Sequence, residues 1–230
     1  MANFLGFSQR GLDFLFDNKM QNSRQWFAEN RAIYDNELIK PFRALVEDLT
    51  PTMLKIDQWF ETKPAIGKTI SRIHRDTRFS KDKSIYRDCL WFTFKRLSND
   101  WKEAPCYFFE LSPTGYRYGL GYYCAPKTTM DIFRQEVLKE PEQFIKSVKC
   151  VKKPFQLEGE SYKRQVVKDQ PEIILDWCNR KSFAIVADIK GTADLNSSDL
   201  VKILAKGFKQ LEPIYHYLMK VEFIKAIPAL

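Results

Sequence analysis

A chain of 230 residues with 44% apolar and 14% aromatic side chains, and only 9 Gly and 11 Pro, is composed to bury about 70% of its unfolded surface, which excludes a disordered, collagenous or disulfide-dependent fold. Its 37 Lys and Arg against 29 Asp and Glu give a net charge of +8. No apolar run approaches the ~18 residues of a membrane span, and the opening MANFLGFSQR has no basic stretch followed by a long apolar core, so the expectation is a soluble, cytoplasmic protein with no membrane partner.

Phe4, Phe7, Leu12, Phe14, Leu15 and Phe16 point to a short first helix. A cap at Asn22, with Gln25 three residues on, predicts a second helix. Trp26, Phe27, Ile33, Tyr34 and Leu38 take its apolar face, and Arg24, Glu29, Asn30, Arg31, Asp35 and Glu37 mostly take the other. Pro41 breaks or restarts it, and Phe42, Leu45, Val46 and Leu49 continue a helical pattern. From Ile66 the pattern turns to short aromatic and β-branched runs, predicting strands at Lys68–Arg75, Leu90–Leu97, Cys106–Leu111 and Tyr116–Tyr123. Ser112-Pro113-Thr114-Gly115 is a tight connection that makes the last two antiparallel neighbours. Thr128 or Thr129 is then the expected cap of a helix ending near Pro141.

Beyond Gln143 the periodicity is weak, with a short helix over Glu172–Cys178 and a strand over Ser182–Ile189. A final helix begins near Ser198 and kinks at Pro213. With no repeat or Gly/Ser linker, residues 1–230 read as one α+β domain, a central antiparallel meander flanked by N-terminal and C-terminal helices.

The basicity is local. Residues 68–87 carry Lys68, Arg72, Arg75, Arg78, Lys81, Lys83 and Arg87 against Asp76 and Asp82. Residues 143–170 carry Lys146, Lys149, Lys152, Lys153, Lys163, Arg164 and Lys168 against Glu158, Glu160 and Asp169, and the rest of the chain is close to neutral. Clustered cations repel one another unless something neutralises them, so a local excess points to an anionic ligand better than a uniform one does. The cysteines, Cys89, Cys106, Cys124, Cys150 and Cys178, are odd in number and irregularly spaced, which suggests neither a disulfide framework nor a zinc module. They read as small buried hydrophobes, with Cys89, two residues past Arg87, the one most open to activation.

Within the first basic segment, the run Arg72-Ile73-His74-Arg75-Asp76-Thr77-Arg78-Phe79-Ser80-Lys81-Asp82-Lys83-Ser84-Ile85-Tyr86-Arg87 concentrates anion-binding side chains. On an extended chain Arg72 and His74 face one way, Ile73 and Arg75 the other. A guanidinium taken out of water must be hydrogen-bonded, so Arg75 is expected to form a structural ion pair with Asp76. The candidate anion-binding set is Arg72, His74, Arg75, Arg78, Ser80, Lys81, Lys83 and Tyr86, which mixes forked donors, point charges and hydroxyls. Arg78, Lys81 and Lys83 outnumber nearby acids, favouring an external anion for them. With two histidines, His74 and His216, and no acidic cluster at ligand spacing, neither a metal nor another cofactor is expected.

RIHRDTRFSKDKSIY resembles the signature of the DUF2461 family, proteins of uncharacterised function found in bacteria and fungi. The helix with Asn22, Trp26 and Phe27, the Gly119-Leu120-Gly121-Tyr122 strand end followed by a helix with Arg134, and Tyr162-Lys163-Arg164 leading to Pro171 and Lys181-Ser182-Phe183 agree with it. The resemblance implies a single-domain cytosolic protein and carries over no activity, cofactor or catalytic residue. The chain departs from the family at Lys83-Ser84-Ile85-Tyr86, where Lys-x-Pro-Tyr is common.

Three functions compete. The first is binding, or turnover, of a phosphorylated or otherwise anionic small molecule at residues 72–87, with Tyr107, Tyr116, Tyr118, Tyr122 and Tyr123 as a pocket wall. The second is nucleic-acid binding along the two basic segments, without a recognised nucleic-acid motif. The third is an interaction protein in which the Arg/Asp motif is a structural ion-pair network. Oligomeric state is not legible.

Overall fold

The computed structural model describes residues 3–78, 80–97 and 101–227. Nine α-helices are present among them: α1 (Gln9–Gln21), α2 (Arg24–Glu29), α3 (Arg31–Ile33), α4 (Lys40–Ile56), α5 (Lys127–Lys139), α6 (Pro141–Val148), α7 (Glu172–Cys178), α8 (Asp199–Gln210) and α9 (Glu212–Ala226). A π-helical stretch, Tyr34–Ile39, joins α3 to α4 and leads into Pro41. The strands are β1 (Leu90–Phe94), β2 (Pro105–Ser112), β3 (Gly115–Tyr122), β4 (Gln156–Glu158) and β5 (Ala184–Lys190). They form one antiparallel sheet in the order β1-β2-β3-β5-β4, flanked by helices, which makes the protein α+β.

Contacts divide the chain into two compact units. The first comprises Met1–Phe94, Phe108–Tyr118 and Asp188–Lys206. Its core is aromatic: Phe42 meets Phe7, Phe92 and Phe109, with ring centroids 5.0 to 6.3 Å apart. Leu90, Phe92 and Phe94 of β1 are buried on one face, as the alternation in the sequence requires. The second unit comprises Lys95–Tyr107, Gly119–Ala187 and Gly207–Leu230. Phe133, Phe144, Trp177 and Phe183 close its core, and Tyr107 packs against Phe208 and Tyr215. Gly119 and Gly121 let β3 approach β5: a Cβ at 119 would lie 1.9 Å from the Ile185 carbonyl oxygen, and one at 121 would lie 2.5 Å from Ala184 Cα.

Several local expectations are corrected. Asn22 ends α1 in the left-handed conformation (φ 45°) instead of starting a helix, and the cap of α2 is Ser23, whose hydroxyl accepts from the Trp26 N–H. Asn tolerates that backbone state better than other residues with a Cβ, so one residue that suits both helix ends serves here as a stop. Pro126, not Thr128 or Thr129, precedes α5 as its N-cap residue. Pro213 does not kink one long helix but opens a new one, since α8 ends at Gln210. The weakly periodic region after Gln143 contains α6 and β4, which periodicity alone does not reveal.

The strand expected at Lys68–Arg75 is an extended segment without a continuous ladder. Its backbone is shared between two partners: the Thr69 carbonyl and Ser71 N–H bond to Thr93 and Trp91, while the Ile73 carbonyl and Arg75 N–H bond to Arg87 and Ile85. This division leaves isolated antiparallel bridges, Ile70 to Phe92 and His74 to Tyr86, in place of a ladder.

Candidate anion site

The split pairing decides where the motif's side chains go. Ile73 is buried and Arg75 half-buried on one side of the extended segment, while Arg72 and His74 stand exposed on the other. Tyr86, opposite His74, is only 1% exposed. Its ring stacks on Phe27 of α2 at 5.1 Å and lies 4.8 Å from the His74 ring. Asn22 fixes the return segment from the far side, its side-chain oxygen accepting the Ile85 N–H at 2.7 Å. A helix stop, an aromatic stack and a bridge thus hold His74 at one place on the surface of the first unit.

Arg75 does not meet Asp76, the partner expected from the sequence. Its guanidinium bonds Asp82 and the Ser84 hydroxyl, with a longer contact to Ser80. Asp82 also accepts from the Ser84 N–H and hydroxyl, and those bonds, followed by Arg75, draw its carboxyl down to a pKa of about 2. Asp76 takes Arg78 instead, in a fork with distances of 2.9 and 2.7 Å. The physical reason is reach: an extended backbone turns adjacent side chains to opposite faces, whereas the turn at residues 80–84 folds Asp82 back under Arg75.

Lys83 donates to the Thr77 carbonyl at 2.9 Å. The donors that the charge count assigns to a ligand, Arg78 and Lys83, therefore have partners inside the loop. Lys81 is exposed, and Phe79 of the motif lies outside the described residues. Tyr107, Tyr116, Tyr118 and Tyr122 are buried core residues and not a pocket wall, with Tyr123 alone of the five exposed.

What gathers around His74 is a different set. Partial removal from water, followed by the positive charges of Arg24, Arg31 and Arg72, holds His74 below the ordinary histidine value. Arg24 lies near enough to Tyr86 to act on its hydroxyl as well. Arg31 is held by Asp35 at 3.0 Å, its guanidinium 5.8 Å from the Phe27 ring centre. Arg24 and Arg72 are exposed and have no carboxylate partner among the described residues. Of the candidate residues named from sequence, the fold thus groups Arg72, His74 and Tyr86 apart from the loop formed by Arg75, Arg78, Ser80 and Lys83. Arg24 and Arg31 are additions. They lie on two successive helices, α2 and α3, separated at Asn30, and nothing in the helical pattern sets them apart from other exposed charges.

Cys89 is not activated by its neighbour Arg87. Burial, and then Glu110 and Asp88, push its thiol up to about 12. Burial likewise raises Cys106 and Cys178 to about 11. No group of three or more His, Cys, Asp and Glu side chains among the described residues is placed to hold a metal.

The second unit uses its buried arginine in another way. Arg134, 5% exposed, donates Nε to the Cys178 carbonyl at 2.8 Å and a terminal nitrogen to the Arg180 carbonyl at 2.9 Å, and pairs with Asp131 at 2.8 Å. It closes the C-terminal end of α7, where unpaired carbonyls concentrate negative potential.

These features define an α+β protein with an arginine-rich extended segment and turn tied to its N-terminal helices. Its family is that of the conserved hypothetical proteins DUF2461, to which the chain belongs: the family model matches residues 10–217. No curated protein matches the chain. No helix among the described residues is long and apolar enough to cross a membrane.

Proposed function

We propose that this protein binds a small anionic ligand at the surface formed by Arg24, Arg72 and His74, with Arg31 beside it. The observation that carries the reading is that Arg24 and Arg72 both act on His74 and neither has a carboxylate partner among the described residues. Positive charges that both act on one ring raise the potential there, and an anion lowers it while accepting forked hydrogen bonds. The Arg75, Asp82 and Ser84 cluster and the Arg78–Asp76 pair shape the turn; they satisfy their own charges. The pairing of Phe27 with Tyr86 provides the rigid floor that such a site needs.

Melting curves with inorganic phosphate test this. A ligand bound only by the folded state stabilises it by RT ln(1 + [L]/Kd), about 2.7 kcal/mol at a hundredfold excess over Kd. The parent melting temperature rises with phosphate, and the Arg24→Ala/Arg72→Ala double variant, which melts at the parent temperature without phosphate, shows no rise. Equal shifts in both proteins, or none in the parent, contradict the reading.

A further inference from the structure

We infer a second binding surface, independent of the first: the lysines of α6 and of the turn after it, together with the groove between α6 and α9, form an interface for single-stranded nucleic acid.

The charges of this second basic segment are not spent inside the protein. α6 turns Phe144 and Val148 into the core of its unit and Gln143, Lys146 and Lys149 outward. Lys152 and Lys153 follow on a turn that Gln210 fixes by donating to the Cys150 carbonyl at 2.9 Å, and Lys209 stands next to that anchor. All five lysines are exposed, and none of their ammonium groups has a partner among the described residues.

Beside them, α6 and α9 leave a groove of about 440 Å³. Gln143, Lys146 and Ser147 line it from α6, and Pro213, His216 and the buried Tyr217 line it from α9. The Tyr217 ring packs on Phe144 at 5.4 Å, and Glu212 lies 3.5 Å from the His216 ring. One end is closed by Lys220, which reaches Gln143 at 3.1 Å while paired with Glu140 at 2.8 Å and Glu136 at 3.2 Å. An adjoining depression shares Gln143 and Lys146 and extends to Lys149; Glu142 is the one carboxylate that lines either of the two.

Each kind of partner makes its own demand. A protein interface centres on aromatic and apolar side chains and is depleted in lysine. A membrane surface needs an outward apolar helix face, and Phe144 and Val148 of α6 point inward. A nucleic-acid strand needs clustered cations for its phosphates and a flat surface for a base. The lysines meet the first need, and the exposed Pro213 and His216 rings in the groove meet the second. A duplex keeps its bases stacked inside and brings only phosphates, so the groove selects a single strand.

The test is the fluorescence anisotropy of a dye-labelled oligothymidylate of about 12 nucleotides with the full chain. Five phosphate contacts on a single strand give a slope of about −3.5 in log K against log salt. The same strand annealed to its complement, and the parent strand with Lys146→Glu/Lys149→Glu, are each expected to bind on the order of tenfold more weakly, the variant melting with the parent. In NMR the oligonucleotide shifts the imidazole signal of His216 and leaves that of His74, the chain's other histidine. Arg24→Ala/Arg72→Ala binds it like the parent, so failure of the phosphate site leaves this result untouched. No binding at ~50 mM salt, a still His216 signal, or polyglutamate or duplex bound as tightly as the single strand overturns the inference. So does parent-like binding by the double lysine variant, or loss of binding in the double arginine variant.

Discussion

The two units treat arginine in opposite ways. In the second, Arg134 is buried and each of its three nitrogens has a partner, two backbone carbonyls and Asp131. In the first, Arg24 and Arg72 are exposed, converge on one histidine and have no carboxylate among the described residues. Between these lies Arg75, 23% exposed and bonded to Asp82 and Ser84. The contrast teaches that an arginine-rich motif is not one thing: the fold uses one guanidinium to satisfy backbone carbonyls, another to close a turn, and leaves others facing solvent. Partners and burial, not residue type, assign the role.

The comparison breaks most visibly at Arg134. Arg134→Met removes the donors of the Cys178 and Arg180 carbonyls in a buried setting and should cost roughly 3 kcal/mol, or about 6–12 °C in melting temperature for a chain of this size. A loss under about 1 kcal/mol, read by denaturant titration, would remove the structural half of the contrast.

Arg75→Ala should cost less, about 1–2 kcal/mol, because Arg75 is half-buried and its partners face solvent. The same cluster gives a pH signature. The Asp82 carboxyl, held at about 2 in the folded chain, contributes stability that is fully present above its unfolded value near 4 and is lost as pH falls toward 2. Acid unfolding followed by circular dichroism should therefore show a shallower decline between pH 4 and 2 in Asp82→Asn than in the parent; parallel curves contradict the assignment.

Arg78→Ala is expected to be smaller still, since its fork to Asp76 joins side chains that are 76% and 56% exposed. It should also leave the phosphate-induced melting shift intact, which separates it from Arg72→Ala. The smallest effect concerns the thiols. Cys89, raised to about 12, should be alkylated far more slowly at pH 8 than the exposed Cys124, as read by mass mapping of modified peptides, and a fast Cys89 would contradict its buried, acid-flanked setting.

Much of this was legible in the residues. The β2–β3 hairpin follows from alternating aromatics around Ser112-Pro113-Thr114-Gly115, and the Arg72/His74 face from the period of an extended chain. The Lys68–Arg75 segment was not, because periodicity reports which face is apolar and says nothing about whether consecutive backbone groups find the same neighbour. Sequence order assigns Arg75 the wrong acid for a related reason: proximity in sequence is not proximity across a turn. Arg24 was hidden more deeply. On an amphipathic helix an exposed arginine looks like any solvated residue, and only the long-range packing of Phe27 against Tyr86 reveals that it belongs with Arg72.

The contrast between spent and unspent arginines is tested most directly by the arginine Nε–H signals of the protein in an NMR titration with inorganic phosphate. The account predicts that the Arg24 and Arg72 signals shift together along one saturable curve, while Arg134 and Arg75 stay in place. Shifts spread evenly over exposed arginines and linear in phosphate, or a saturable response at Arg78 with Arg24 and Arg72 still, would contradict it.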